Sequence, residues 1–163
     1  MPRRKIPFIS KKCLKHSNVG DFKFKNRKPR KMTGGGHGQD NIKYLASKNI
    51  EYSVLMEYNN GVRRGNISIH KVGKKRIGDA QAWFPKSWSE KDIKSAGQHI
   101  MKLKRNKKRE NQTPYSGTYK GVKVGAYTVN GRISTIYPWY IQKGGTKYDL
   151  RWILQNIQTT QRK

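Results

Sequence analysis

Between Glu51 and His70 apolar and polar residues alternate on either side of Asn60-Gly61, in "EYSVLMEYNNGVRRGNISIH". Period-two alternation sends successive side chains to opposite faces of a strand. Asn-Gly is the pair favoured in two-residue type I′ hairpin turns. With those two as the loop, Glu57 faces Arg64, Val54 faces Ile67 and Glu51 faces His70. One face collects Tyr52, Val54, Met56, Ile67 and Ile69. The other collects Glu51, Ser53, Glu57, Arg64, Asn66, Ser68 and His70, with Leu55 as the exception. His70 falls on the polar face, so it does not read as a core histidine. The pattern returns in "GTYKGVKVGAYTVNGRISTIYPWYI", a second hairpin turning at Asn130-Gly131. Thr135 then faces Ala126 and Tyr137 faces Val124. Thr135 and Tyr137 are two apart and share a face, and the small residue opposite Thr135 leaves room for an approaching group.

Helical spacing appears twice. Ile42 and Leu45 are three apart in a short helix over residues 39–48, with Asn49 as its stop. In "SEKDIKSAGQHIMKLKR", Ile93, Ala96, Ile100 and Leu103 form a buried stripe. Ser89 and Asp92 make a start like a capping box. His99 lies beside the stripe and is assigned no chemistry. The cationic end, "KLKRNKKRE", suits a helix C-terminus. Between hairpin and helix, "KVGKKRIGDAQAWFPKSW" reads as a loop carrying Lys71, Lys74, Lys75 and Arg76 with Trp83, Phe84 and Trp88. Basic residues among rings suit phosphates and stacked bases, while core packing is the favoured reading of Trp83 and Phe84. The stretch "YDLRWILQNIQ" is either a short helix capped by Asp149 or a closing strand. The order helix, hairpin, helix, hairpin, tail predicts an α+β domain, an antiparallel sheet with helices packed on one face.

Composition alters this picture at the N-terminus. Residues 1–32 hold twelve Lys and Arg and a single acid, Asp21. They read as a basic arm over residues 1–33, flexible or loosely strand-like at 22–25, ahead of a folded unit over 34–163. The whole chain carries 37 Lys and Arg against 9 Asp and Glu, a net charge of +28. Solubility needs a net charge of only about 2–8, and self-repulsion opposes compaction. The excess points to a polyanionic partner, with nucleic acid first. No run of ~18 apolar residues offers a membrane span, and "MPRRKIPFIS" lacks a signal-peptide apolar region. Cys13 is the sole cysteine, which excludes an internal disulfide and a CxxC zinc site. The expected compartment is the cytoplasm of a target or host cell, with a virion as the alternative.

"TGGGHGQDN" poses the chemical question. Either its glycines bring the backbone close to something and aim His37 at it, or they are a linker and His37 is incidental. The candidate groups are His37, His70, Thr135 and Tyr137, amid Lys and Arg. Paired carboxylates for a metal nuclease are missing, as is a P-loop, so no cofactor is expected. Two histidines and two hydroxyls in a cationic setting suffice for metal-free RNA cleavage. RNA carries its own nucleophile, the 2′-hydroxyl, and needs one group to take that proton and one to protonate the leaving 5′-oxygen. Histidine does either near neutrality, and cationic and hydroxyl donors stabilise the phosphate. Arg64, Lys71, Lys74, Lys75, Arg76, Lys120 and Lys123 are the expected nucleic-acid contacts.

"GGGHGQDNIKYL", "YNNGVRRGNISIHKVGKKRIGDAQAWFPKSWSEKDIKSAG" and "NGRISTIYP" resemble the bacterial type-50 polymorphic toxin domain. That family belongs to the barnase–EndoU–colicin–RelE group and also occurs on phage head-morphogenesis proteins. The resemblance covers roughly residues 33–140. "STIYP" is similar to the EndoU-type ending, where a Thr and a Tyr two apart sit beside the scissile phosphate. The resemblance implies His37 as the first family histidine and Thr135 and Tyr137 as that pair. His70, in "SIHK", matches a histidine in an "NHK"-like family segment. It implies a catalytic lysine too, for which Lys71, Lys120 and Lys123 are candidates, and a 2′,3′-cyclic phosphate product. His37 reads as base, at a helix start that favours anions, and His70 as acid or phosphate ligand. The expected partners are RNA, with DNA as the alternative, and an acidic immunity or inhibitor protein. The rival reading is a non-catalytic, nucleic-acid-binding phage head protein.

Overall fold

The computed structural model describes residues 7–103, 106, 114–143 and 145–147. Most of "KLKRNKKRE" and all of "YDLRWILQNIQ" lie outside them. The chain runs through α1 (Lys11–Asn18), β1 (Asp21–Lys25), β2 (Lys28–Gly34), α2 (Gln39–Ser47), β3 (Tyr52–Tyr58) and β4 (Arg63–Ile67). It continues with α3 (Gly73–Arg76), β5 (Gln81–Trp83), α4 (Glu90–Met101), β6 (Tyr115–Tyr119), β7 (Val122–Val129), β8 (Arg132–Pro138) and β9 (Gly145–Lys147). The strands form three antiparallel sheets, β1-β2, β5-β4-β3-β9 and β6-β7-β8. The α+β class is as expected, but its single sheet is divided in three.

The basic arm expected over residues 1–33 is not found in residues 7–33, which are folded. Ser10 caps α1, its hydroxyl accepting from the Cys13 N–H at 3.0 Å. Cys13 and Leu14 enter the main core beside Ile9, against α4 and the β6-β7-β8 sheet. The lysines of α1 point outward, so the high charge of this segment coats a buried stripe. The β1-β2 ribbon turns at Asn26-Arg27, both at positive φ (52° and 63°), as a type I′ turn requires. Met32 is fully buried in a second core with Ile42, Leu45, Ile67 and Trp83.

Other elements follow the sequence closely. The Ser89–Asp92 capping box is formed in both directions, and Ile93, Ala96 and Ile100 are buried with Leu103 packed against them. Asn49, at φ 55°, ends α2. Trp83 and Phe84 are core residues, and the Trp83 indole N–H donates to the Asn41 Oδ1 at 2.9 Å.

Both hairpin registers are corrected by bulges. The first loop has three residues, with the Tyr58 N–H donating to the Val62 carbonyl at 2.8 Å. Glu57 therefore faces Arg63, and Met56 faces Arg64. Leu55 bulges out, after which Val54 faces Gly65 and Tyr52 faces Ile67. In the second hairpin Asn130-Gly131 is the turn, with Val129 opposite Arg132. Ser134 then bulges, so Thr135 faces Tyr127 rather than Ala126, and Tyr137 faces Gly125 rather than Val124.

That one-residue bulge changes which side chains reach the core. Ile133 is buried before it and Ile136 after it, three residues apart. Without the bulge, strict alternation would send Thr135 and Tyr137 inward with Ile133. The small residue sits opposite Tyr137, and a Cβ on Gly125 would lie 2.5 Å from the Tyr137 ring. Gly125→Ala is expected to displace that ring, costing ~1–3 kcal/mol of stability by overpacking. Urea unfolding beside the wild type checks this.

Candidate active site

The loop "GGGHG" is neither a linker nor a hinge. Three successive amides, of Gly36, His37 and Gly38, donate to the last carbonyls of α1, those of His16, Ser17 and Asn18, at 2.8, 2.6 and 3.0 Å. The approach is close enough to demand glycine. At Gly35, φ is +67° and a Cβ would stand 2.0 Å from the His16 carbonyl oxygen. The glycines bring the backbone up to a helix end and lock His37 beside it. The Phe84 N–H donates to the His37 carbonyl at 2.7 Å, and the His37 Nδ1–H donates to the Ala82 carbonyl at 2.8 Å. A carbonyl only accepts, so Nε2 is the nitrogen left to take a proton.

His37 lines a cavity of about 350 Å³ with His16, Lys75, Thr135 and Tyr137, while Tyr127 and Tyr140 form part of its wall. His16 comes from the last turn of α1. Its Nδ1–H donates to the Asp21 carboxylate at 2.7 Å, and its Nε2 meets the Thr135 Oγ1 at 3.0 Å. The carboxylate fixes the ring's orientation and leaves Nε2 as the atom facing the cavity. The Tyr137 ring lies 6.1 Å from that of His37 and stacks on Tyr127 at 5.2 Å. Five chemically active side chains from α1, the β2–α2 loop, α3 and β8 thus meet in one place.

A model of the bacterial EndoU nuclease family matches residues 10–140. The chain belongs to that family. Searches of curated proteins and of solved structures each find no match. The EndoU match begins ahead of α1, so it contains His16 as well as His37, Lys75, Thr135 and Tyr137. It extends the resemblance, drawn above from residue 33, through the segment expected to be an arm. An EndoU nuclease acts on nucleic acid, which accords with the net charge of +28.

Three of the four expected catalytic residues, His37, Thr135 and Tyr137, gather in this cavity; His70 does not line it. Its placement on a polar face is corrected by the end of β4 at Ile67, after which the chain turns before reaching His70. His70 is 1 % exposed and joins Met32 in a parallel bridge. Its Nδ1 accepts from the Val72 N–H at 3.0 Å, and its carbonyl accepts from the Arg76 guanidinium at 2.9 Å. It therefore organises the loop on which Lys75 sits. Its Nε2 is buried without a hydrogen-bond partner among the described residues.

The lysine in the cavity is Lys75, not Lys71, Lys120 or Lys123. Burial lowers the pKa of its ammonium. Lys120 forms an ion pair with Asp92 at 3.0 Å, and the Lys123 ammonium lies 4.8 Å from the centre of the Trp139 ring. Lys71, Lys74 and Arg76 stay exposed around the same loop. Arg64, expected at the nucleic-acid surface, is buried. It pairs with Asp79 at 2.8 Å, donates to the Tyr58 hydroxyl at 3.0 Å and stacks 3.4 Å from the centre of the Tyr140 ring. The three-residue loop sets it opposite Met56 and beside Tyr58, on the face covered by the main core, rather than opposite Glu57.

Burial pushes the His37 pKa down to about 3, helped by the Lys75 charge and by His16 and His70, and opposed by the bond to Ala82. The ring is therefore uncharged at neutral pH, with its proton on Nδ1 and Nε2 bare. Burial likewise lowers His70 to about 4, with Lys75, Lys71 and Arg76 adding to the effect. Burial beside Tyr127 raises the Tyr137 pKa, so its phenol keeps its proton and can donate.

His16 and Asp21 escaped the sequence reading because they lie among lysines. Two signals were there to find: Asp21 is the lone acid of the first 32 residues, and Ser10 precedes the apolar pair Cys13-Leu14. Among the described residues, no three His, Cys, Asp or Glu side chains group to hold a metal ion, and no helix is long and apolar enough to cross a membrane.

Proposed function

We propose that the protein is a metal-independent endoribonuclease that cleaves RNA through its own 2′-hydroxyl, leaving a 2′,3′-cyclic phosphate. One observation carries the reading. Two histidines from different elements line one cavity, each with Nδ1 tied to an acceptor, so that proton exchange falls to Nε2, which in His16 meets the Thr135 hydroxyl.

His37 Nε2 takes the 2′-hydroxyl proton as the 2′-oxygen bonds to phosphorus. The bond from phosphorus to the 5′-oxygen breaks, and protonated His16 delivers its Nε2 proton to that oxygen. His16 replaces His70 as the second histidine. Lys75, Thr135 and Tyr137 hold the phosphate and stabilise its developing charge. Burial first and the Lys75 charge second keep His37 a weak base, and an arriving phosphate offsets the second, raising its proton affinity when substrate is bound. The same reading makes this a toxin-type domain, silenced in its own cell by an acidic immunity protein matched to the +28 charge.

The test is cleavage of a short end-labelled RNA in EDTA, beside the same oligonucleotide carrying a 2′-deoxy sugar at the cut. Cutting of the all-ribose strand alone, ending in cyclic phosphate, is expected. Cutting of the deoxy strand, or loss of cutting in EDTA, overturns the mechanism. Tight binding of RNA and DNA without cutting turns the assignment to a non-catalytic nucleic-acid-binding protein.

A further inference from the structure

A strand cut between His37 and His16 has to continue beyond them. Past His16, on the Asp21 side, a groove of about 520 Å³ opens between α1, β1 and α2. Phe22 and Phe24, two apart on β1, line it with Tyr44 of α2. The Phe22 and Tyr44 rings lie 4.8 Å apart, tilted by 48°, whereas Phe24 is 59 % exposed. Lys12 and Lys15 of α1 line the same groove and have no ion-pair partner among the described residues. An exposed phenylalanine in so charged a ribbon is not needed for folding, since the second core closes over Met32 and Trp83 without it. Rings beside unpaired lysines suit successive bases and phosphates of a single strand.

We propose that this groove is a subsite for single-stranded RNA, taking nucleotides on the 3′ side of the cut. Their bases stack on Phe24 and Tyr44, and their phosphates lie against Lys12 and Lys15. The direction rests on the ribonuclease reading above: His16 protonates the leaving 5′-oxygen, which belongs to the 3′ nucleotide, and the groove continues from His16.

The test compares a dinucleotide with a substrate extended by several nucleotides on its 3′ side. In the full wild-type chain the extension is expected to raise kcat/KM about tenfold, the effect of one or two stacked bases. In Phe24→Ala, and in the pair Lys12→Ala with Lys15→Ala, that ratio falls towards one. Phe24 is exposed, so its variant keeps the fold. Equal ratios in wild type and variants overturn the proposal, as does a gain confined to 5′ extension. Fluorescence anisotropy with an oligonucleotide 2′-deoxy at the cut reads the groove without catalysis, and Phe24→Ala is expected to weaken binding about tenfold. If the wild type cuts neither substrate the ribonuclease reading fails, while a loss of affinity in Phe24→Ala still upholds the groove. Unchanged affinity removes it.

Discussion

Replacing His37 or His16 by alanine lowers kcat for RNA cleavage by at least ~10²-fold, whereas His70→Asn keeps cleavage within about tenfold of wild type. Losing a positioned general base or acid typically costs 10² to 10⁴. His37 and His16 each present Nε2 to the cavity, so each loss falls on the chemical step rather than on binding. The asparagine at position 70 retains an acceptor near Nδ1, the atom that takes the Val72 N–H. It should therefore preserve the loop that carries Lys75. Single-turnover cleavage of a short RNA, with urea unfolding of each variant alongside, separates lost chemistry from lost fold. A His70→Asn protein that folds normally but loses 10²-fold in cleavage would restore His70 as the second catalytic histidine.

Acid destabilises the fold well before the carboxylates titrate. His37 and His70 are held at pKa values of about 3 and about 4 by burial first and Lys75 second. Both return to about 6.5 in the unfolded chain. The native values lie below the unfolded ones, so between about pH 6.5 and about pH 4 the unfolded chain binds protons the native chain refuses. Stability is full above about pH 6.5 and falls as pH drops, by up to ~1.4 kcal/mol per pH unit for each histidine. Below about pH 4 native His70 also protonates and its share of the slope ends. Urea midpoints measured from about pH 7 to about pH 4.5 should fall steadily, and His70→Asn should roughly halve the slope. A flat profile would mean that these rings are hydrated in solution.

Local signals in the sequence carried much of the fold. Asn130-Gly131 set the second hairpin turn, Ser89 and Asp92 started α4, and Asn49 stopped α2, because each depends on backbone conformation within a few residues. His37, Thr135 and Tyr137, read from the sequence as candidates, line one cavity for a similar reason, one glycine loop and one strand holding all three. What tertiary structure decided was register, burial and partnership. Irregularities in both hairpins were invisible to period-two counting: the three-residue first loop set Arg64 against Met56, and the Ser134 bulge turned Thr135 and Tyr137 towards the cavity. Charge hid the apolar stripe of α1, so the helix bearing the cavity-lining His16 read as an arm. His70 and His16 are alike as letters. Only long-range contacts distinguish them, one buried beneath Met32 and Val72, the other held by Asp21 against Thr135, 119 residues away. Sequence spacing reports which side chains share an element, whereas a catalytic site depends on which elements are packed together.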